Sequence, residues 1–464
     1  MTRDLLIRNV EVAGRPGFDV RLADGRVAEV GRGLARGGED VDGRGGALIP
    51  GLVDHHIHLL ALAAQAQSVV LDRIVDARGL AVALAAGSAQ RSPGAWMRAT
   101  GYHERMAGDL DRHALDRLVP ERPLRVQHQT GSLWILNSLA LDAVLGDDPP
   151  PAVERDAAGV PTGRIWRGDA WLRGRLGNAP PDLAPVGRTL AACGVTALTD
   201  ASATTNPQAA AILAAAARAG ALPQRLMLMS HGPLTAPEDA AFAVGPLKIL
   251  LDDHALPDLD AITADIARAR REGRAVAVHC VTASELAVTL AAFEAAGARR
   301  GDRIEHGGLI PPGAIAELRD FGLTVVTQPA FVFERGDRYL ADVERIERAD
   351  LYRCASLLAA GVAVAASSDA PYGSPDPWVG IAAAVRRRTR AGRPIGPAER
   401  VASATALALY LADPAAPGGA PRKVAPGVPA DLCLLRAPLA AALREPSAGQ
   451  VRMTLVGGEA IHGA

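Results

Sequence analysis

The stretch Ile49-Pro50-Gly51-Leu52-Val53-Asp54-His55-His56-Ile57-His58 decides how the rest of the chain is read. An apolar run with a Pro-Gly step, ending in two histidines one residue apart, reads as a buried strand whose last side chains leave the core. Strand residues two apart point the same way, so His56 and His58 can present both imidazoles to one ion. A lone H-x-H is more often a polar loop or a satisfied structural contact. Its position at the end of a buried run makes this one a candidate site.

Outward from this stretch, short apolar runs alternate with helical ones, the mark of repeated βα units. The runs read as strands are Leu48–Asp54, Val195–Asp200, Leu226–Ser230, Leu247–Leu251, Ala275–His279, Arg303–His306, Thr324–Thr327 and Val362–Ser368. Eight such units predict an α/β fold, a (β/α)8 TIM barrel. About 140 residues separate the first two strand starts, far more than a simple βα connection needs. Residues of roughly 60–190 are therefore expected to form an inserted subdomain that shapes the substrate side of the mouth.

Both ends of the chain read as small β-structure. Leu5 to Val12 is a strand, and Asp19–Ala23 and Arg26–Val30 flank Asp24-Gly25, a two-residue hairpin signal. Ala430–Leu435 and Met453–Val456 are short apolar runs near the other end. Neither end has enough apolar surface to stand alone, so residues 1–50 and 416–464 are expected to build one small β-sandwich around a barrel of residues 51–415.

Composition narrows the function. The 464 residues are 49% hydrophobic and 22% charged, with a formal net charge of −1, as in an ordinary globular protein. No basic face points to nucleic acid and no polybasic segment to a membrane. The expected partner is a small-molecule substrate, with a homodimer left open. The four cysteines, Cys193, Cys280, Cys354 and Cys433, are scattered without a C-x-x-C pair, against a disulfide framework or a thiolate metal site. The N-terminal run lacks the features of a signal peptide, so a cytoplasmic location is expected.

Three more residues fall where a barrel needs them. His279 closes the run from Ala275, His306 closes Arg303-Ile304-Glu305, and Asp369 follows Val362–Ser368. Each stands at the C-terminal end of an expected strand, the end that carries active sites in this fold. Singly each is better read as a core histidine or a solvated aspartate; together they predict a metal site. Imidazole and carboxylate suit zinc and related divalent ions, so one or two such ions are expected, zinc first. A metal of this kind lowers the pKa of water from ~15.7 to about 7.

Lys248 stands out because Lys248 and Lys423 are the only lysines among 50 basic residues. A lysine in an apolar strand has a lowered pKa and a nucleophilic amine. It could form a carbamate bridging two metals, or else reach the mouth and bind a substrate carboxylate.

Pro50 to His58, the strand-end histidines and Ser368-Asp369-Ala370-Pro371 resemble the amidohydrolase superfamily. Ser374-Pro375-Asp376-Pro377-Trp378-Val379-Gly380-Ile381, Leu118-Val119-Pro120-Glu121-Arg122-Pro123 and Trp134-Ile135-Leu136-Asn137-Ser138 resemble its branch containing N-substituted formamide deformylase, amidohydrolase family 3. Gly427-Val428-Pro429-Ala430-Asp431-Leu432 is similar to the family's return into its β-sandwich. The resemblance implies that His56 and His58 hold one metal and His279 and His306 a second. It also implies that Lys248 is a bridging carbamate and Asp369 the metal-contacting general base. Ser132, Trp134 and Asn137 are expected on the substrate side. Two departures fall there. Thr130-Gly131-Ser132-Leu133 replaces the branch's Asp-Gly-His-Ser, and Asp252-Asp253 stands where Asp-Gly is usual. The expected activity is metal-assisted hydrolysis of an amide or other C–N bond. Ester or C–C hydrolysis or decarboxylation on the same metals, and a non-catalytic scaffold, are the alternatives.

Overall fold

The computed structural model describes residues 4–71, 74–146, 148–176, 180–253 and 255–463. It separates into two compact units, Met1–Leu59 with Leu183–Ala464, and Leu60–Asp182. The inserted unit is thus slightly shorter than the 60–190 read from the sequence.

In the first unit eight parallel strands follow one another in chain order: β1 (Leu52–Ile57), β2 (Val195–Asp200), β3 (Arg225–Ser230), β4 (Ala243–Ile249), β5 (Val276–Cys280), β6 (Arg303–His306), β7 (Thr324–Thr327) and β8 (Ala363–Ala366). Each is hydrogen-bonded to the next, and the sheet curls into a barrel of the (β/α)8 kind. The seam between β8 and β1 is bridged at both ends. At the lower end Val53 N–H donates to Tyr410 O (2.8 Å) and Ala366 N–H to Leu409 O (2.9 Å). At the upper end Asp369 N–H donates to His56 O and His58 N–H to Ala370 O, both at 2.8 Å. The upper pair ties three candidate ligands into one backbone network.

The run Leu48–Asp54, read as one strand, is two. Leu48–Pro50 pairs antiparallel with Leu432–Leu435, and the barrel strand begins only at Leu52. Gly51 is the crossing point: a Cβ there would lie 2.1–2.7 Å from the Thr196 side chain, so only glycine lets the strands approach. β4 also starts earlier than expected, because Ala243 and Val244 pair with Met227 and Leu228.

The termini form two four-stranded sheets. One runs Arg26–Gly31, Arg15–Ala23, Leu5–Val12, Glu39–Asp42; the other runs Glu459–His462, Val451–Val456, Leu432–Leu435, Leu48–Pro50. Their inner faces share a core in which Ile7, Val20 and Leu22 meet Leu432, Leu434 and Leu455. Neither terminus could bury these side chains alone, each contributing about 1.5–3 kcal/mol when fully buried.

The second unit is a six-stranded sheet with a different core on each face. Along Leu133–Leu136, Leu133 and Ile135 join one cluster and Trp134 and Leu136 the other, as period-two alternation requires. Among the described residues no helix is long and apolar enough to cross a membrane.

Candidate metal centre

β1 delivers His56 and His58, and two residues missed by the sequence reading orient them. The Glu305 carboxylate, at the end of β6, hydrogen-bonds His56 Nδ1. The Ser202 hydroxyl, just past β2, lies 2.9 Å from His58 Nδ1. His306 is oriented in the same manner: its Nδ1 is 3.0 Å from Gln328 Oε1. Gln328 is held in turn by donating to Ser367 Oγ at 2.9 Å. Second contacts of this sort set which ring nitrogen is left for a metal.

Burial is the main electrostatic force here. It pushes His56 and His306 well below the usual imidazole range, helped by Lys248 for His56 and by His56 for His306. His279, which packs against His306 with ring centroids 4.5 Å apart, is pushed down to about 4, again by burial and then by Lys248. Burial would raise Glu305, but Arg303 and Lys248 outweigh it and hold the carboxyl below its usual value. Glu305 is therefore ionised and can only accept, so the neutral His56 donates from Nδ1 and keeps its lone pair on Nε2. By the same logic the acceptor Gln328 Oε1 leaves the His306 lone pair on Nε2.

That lone pair on His56 faces a carboxylate. Asp369 Oδ1 is 3.4 Å from His56 Nε2 and 3.1 Å from His58 Nε2, and Asp369 Oδ2 is 3.8 Å from His306 Nδ1. His56, His306 and Asp369 each offer a ligand atom, all within 4.8 Å of one another. His56 Nε2, Asp369 Oδ1 and Lys248 Nζ are buried without a hydrogen-bond partner. Burying an unsatisfied polar group costs roughly 1–3 kcal/mol, and two acceptors facing each other repel. A cation between them removes both penalties, so the residues present fit a metal ion. His306 (φ +70°) and Asp369 (φ +54°) both take the left-handed backbone region, which side-chain-bearing residues rarely adopt. Such strain gathers at functional sites.

Lys248, 2% exposed on β4, is pushed down to about 8 by burial, against the pull of Glu305. A neutral amine is thus accessible near neutral pH.

On the inserted unit the structure corrects the expected substrate contacts. Asn137 is fully buried and caps the helix Ser138–Val144, its Oδ1 accepting from Ala140 N–H and Leu124 N–H. Its Nδ2 donates to Val119 O and Arg122 O. All four hydrogen-bonding capacities are used within the unit, leaving none for a substrate. Trp134 is 4% exposed and packs in a core, with the Arg98 and Arg125 guanidiniums 5.3 and 5.2 Å from its ring. It too is a packing residue. Ser132 is half-buried, and its carbonyl accepts from Arg167 N–H at 2.7 Å.

His55, between the site strand's other residues, is fully buried with both ring nitrogens unpartnered, and burial then Arg303 push it down to about 3. Between its unfolded value near 6.5 and 3, the unfolded chain binds a proton that the folded chain excludes. Stability is then lost as the pH falls through that window. His55→Leu is expected to hold its thermal midpoint better than the parent between pH 7 and 5. Equal losses on acidification would show that this imidazole plays no part.

The chain belongs to the amidohydrolase family, whose model matches residues 39–462. It is 27% identical to N-substituted formamide deformylase of Arthrobacter pascens, over 90% of each chain. Its fold matches an uncharacterized metal-dependent hydrolase from Pyrococcus horikoshii OT3 at a TM-score of 0.77 and 18% identity, covering 99% of this chain and 100% of that one. It also matches atrazine chlorohydrolase TrzN from Arthrobacter aurescens TC1, solved with zinc, at 0.58 and 15%, covering 99% and 95%.

Proposed function

We propose that the protein is a metal-dependent hydrolase that cleaves the C–N bond of a small amide, with Asp369 as the proton carrier. The observation that carries this reading is the orphaned His56 Nε2 set against Asp369 Oδ1 at the barrel mouth. His56, His58, His279, His306 and Asp369 would hold one or two divalent ions, and Lys248, as a carbamate, would add its carboxylate to that donor set. Zinc suits this donor set, and it is the ion named with the atrazine chlorohydrolase neighbour. When bound, such an ion polarises a carbonyl and lowers the pKa of water.

The chain's own residues do the rest. Asp369 takes one proton from the attacking water, whose oxygen bonds to the carbonyl carbon. It then delivers that proton to the departing nitrogen as the C–N bond breaks, so that amide and water become acid and amine. Glu305, Ser202 and Gln328 keep the imidazoles turned so that their lone pairs face the reacting centre. The relative that acts on N-substituted formamides, at 27% identity over 90% of both chains, supports an amide of a small acyl group.

The test is a hydrolysis screen of zinc-loaded protein against formamides, N-acyl amines and cyclic amides, with elemental analysis of undialysed protein. One to two divalent ions per chain and amine release are expected. Protein with no transition metal, and no activity on reconstitution, would refute the assignment.

A further inference from the structure

The inserted unit holds a second group of candidate ligands. Its strands Met97–Tyr102 and Leu124–His128 run parallel, with Tyr102 in register with His128. His128 therefore meets His103 and Glu104, which follow Tyr102 directly, at the C-terminal end of one strand pair. Each of the three offers a ligand atom, and these atoms all lie within 4.8 Å of one another. Among the described residues the only other such group is His56, His306 and Asp369. None of the three belongs to the barrel's donor set.

The distances suit an ion better than direct contact. Glu104 Oε2 lies 3.1 Å from His128 Nε2 and 3.4 Å from His103 Nδ1. A charge-assisted N–H···O bond is shorter, about 2.7–2.9 Å. Donors about 2.0–2.2 Å from one tetrahedral zinc ion stand roughly 3.3–3.6 Å apart. His103 Nδ1 accepts Arg105 N–H at 3.1 Å, so a lone pair, not a proton, faces the Glu104 carboxylate. Arg105 is exposed, and water can take over its N–H once an ion claims that lone pair. At His128 the Thr130 hydroxyl lies 2.8 Å from Nδ1. By accepting the Nδ1 proton it leaves the Nε2 lone pair toward Glu104. The barrel holds His58 in this way, with Nδ1 2.9 Å from the Ser202 hydroxyl and Nε2 3.1 Å from a carboxylate oxygen. The other tautomer, in which Nδ1 accepts Thr130 N–H (3.2 Å) and Nε2–H donates to Glu104, is the state without an ion.

We propose that His103, Glu104 and His128 form a further divalent-ion site, for zinc or a related first-row ion. Two imidazoles and a carboxylate are donors that such ions take. Three protein donors leave at least one position to water. The Glu104 side chain is 40% exposed, so the bound ion exchanges with solvent. It ties the end of Met97–Tyr102 to that of Leu124–His128. It also steadies the turn Thr130-Gly131-Ser132, whose Gly131 N–H donates to His128 O at 2.9 Å. The site does not rest on the hydrolase reading and stands whether or not the barrel cleaves amides.

The test is equilibrium dialysis of the full chain against micromolar zinc, followed by elemental analysis. The parent should hold about one ion per chain more than either His128→Ala or Glu104→Gln. Barrel ions are common to all three proteins and cancel in the difference. The control is His113, an exposed imidazole 3.6 Å from Asp116 that belongs to no such group among the described residues. His113→Ala should match the parent. Equal zinc in the parent, His128→Ala and Glu104→Gln would overturn the site. So would an equal loss in His113→Ala, the mark of adventitious surface binding. A second measurement needs no variant. In crystals of the parent grown with zinc, anomalous scattering at the zinc edge should peak about 2.0–2.2 Å from His128 Nε2 and a Glu104 carboxylate oxygen. No peak there would also overturn the site.

Discussion

Asp369→Asn is expected to cut turnover by about 10²–10⁴-fold, the usual loss when a general base is removed, while metal content and stability change little. The substitution is unusually clean at this position. Asp369 sits at φ +54°, a conformation that asparagine tolerates nearly as well as aspartate. Its backbone is held independently of the carboxylate, by Asp369 N–H to His56 O and Tyr372 N–H to Asp369 O, each 2.8 Å. The amide oxygen can still approach His56 and His58, so a metal contact can survive. What an amide cannot do is accept a proton from water. The loss should therefore appear in kcat with KM nearly unchanged. Near-normal turnover with full metal occupancy would place the base elsewhere and end the proposed mechanism.

The second large effect is at Lys248. In both Lys248→Arg and Lys248→Ala we expect loss of one of two metals and of most activity. A lone buried ammonium costs several kcal/mol, and Lys248 Nζ has no hydrogen-bond partner to offset this. Loss of one proton gives the neutral amine, and its addition to carbon dioxide forms an N–C bond as a C=O π bond breaks and releases a second proton, so that the buried cation becomes an anion. That anion would sit among imidazoles already held neutral. Arginine keeps the positive charge but does not readily form a carbamate. Alanine leaves space, so a small carboxylic acid should restore part of the activity in Lys248→Ala and none in Lys248→Arg. Electron density beyond Nζ, or a labelled carbonyl resonance lost on acidification, is the direct check. A bare ammonium beside a single fully occupied metal would replace this reading with a mononuclear one.

The candidate ligands could be found in the sequence because their signal is local. Period-two alternation places His56 and His58 together, and His279, His306 and Asp369 each end or follow an apolar run long enough to be a strand. The number of βα units and the oversized connection after the first were legible for the same reason. Pattern alone could not divide Leu48–Asp54, since apolar residues look alike whichever sheet buries them. The close approach of Gly51 to Thr196 makes that division. Nor could it supply the partners of the ligands: Glu305 lies 249 residues from His56 along the chain, and Ser202 lies 144 from His58. Such pairs form only when barrel closure brings strand ends together. Asn137 shows the converse case, a polar residue in a family-like motif whose hydrogen bonds are all consumed by a helix cap and neighbouring backbone. The sequence by itself determined which residue types stand at the strand ends. The tertiary structure decided which nitrogen each imidazole turns toward the site, because that depends on acceptors contributed by other strands.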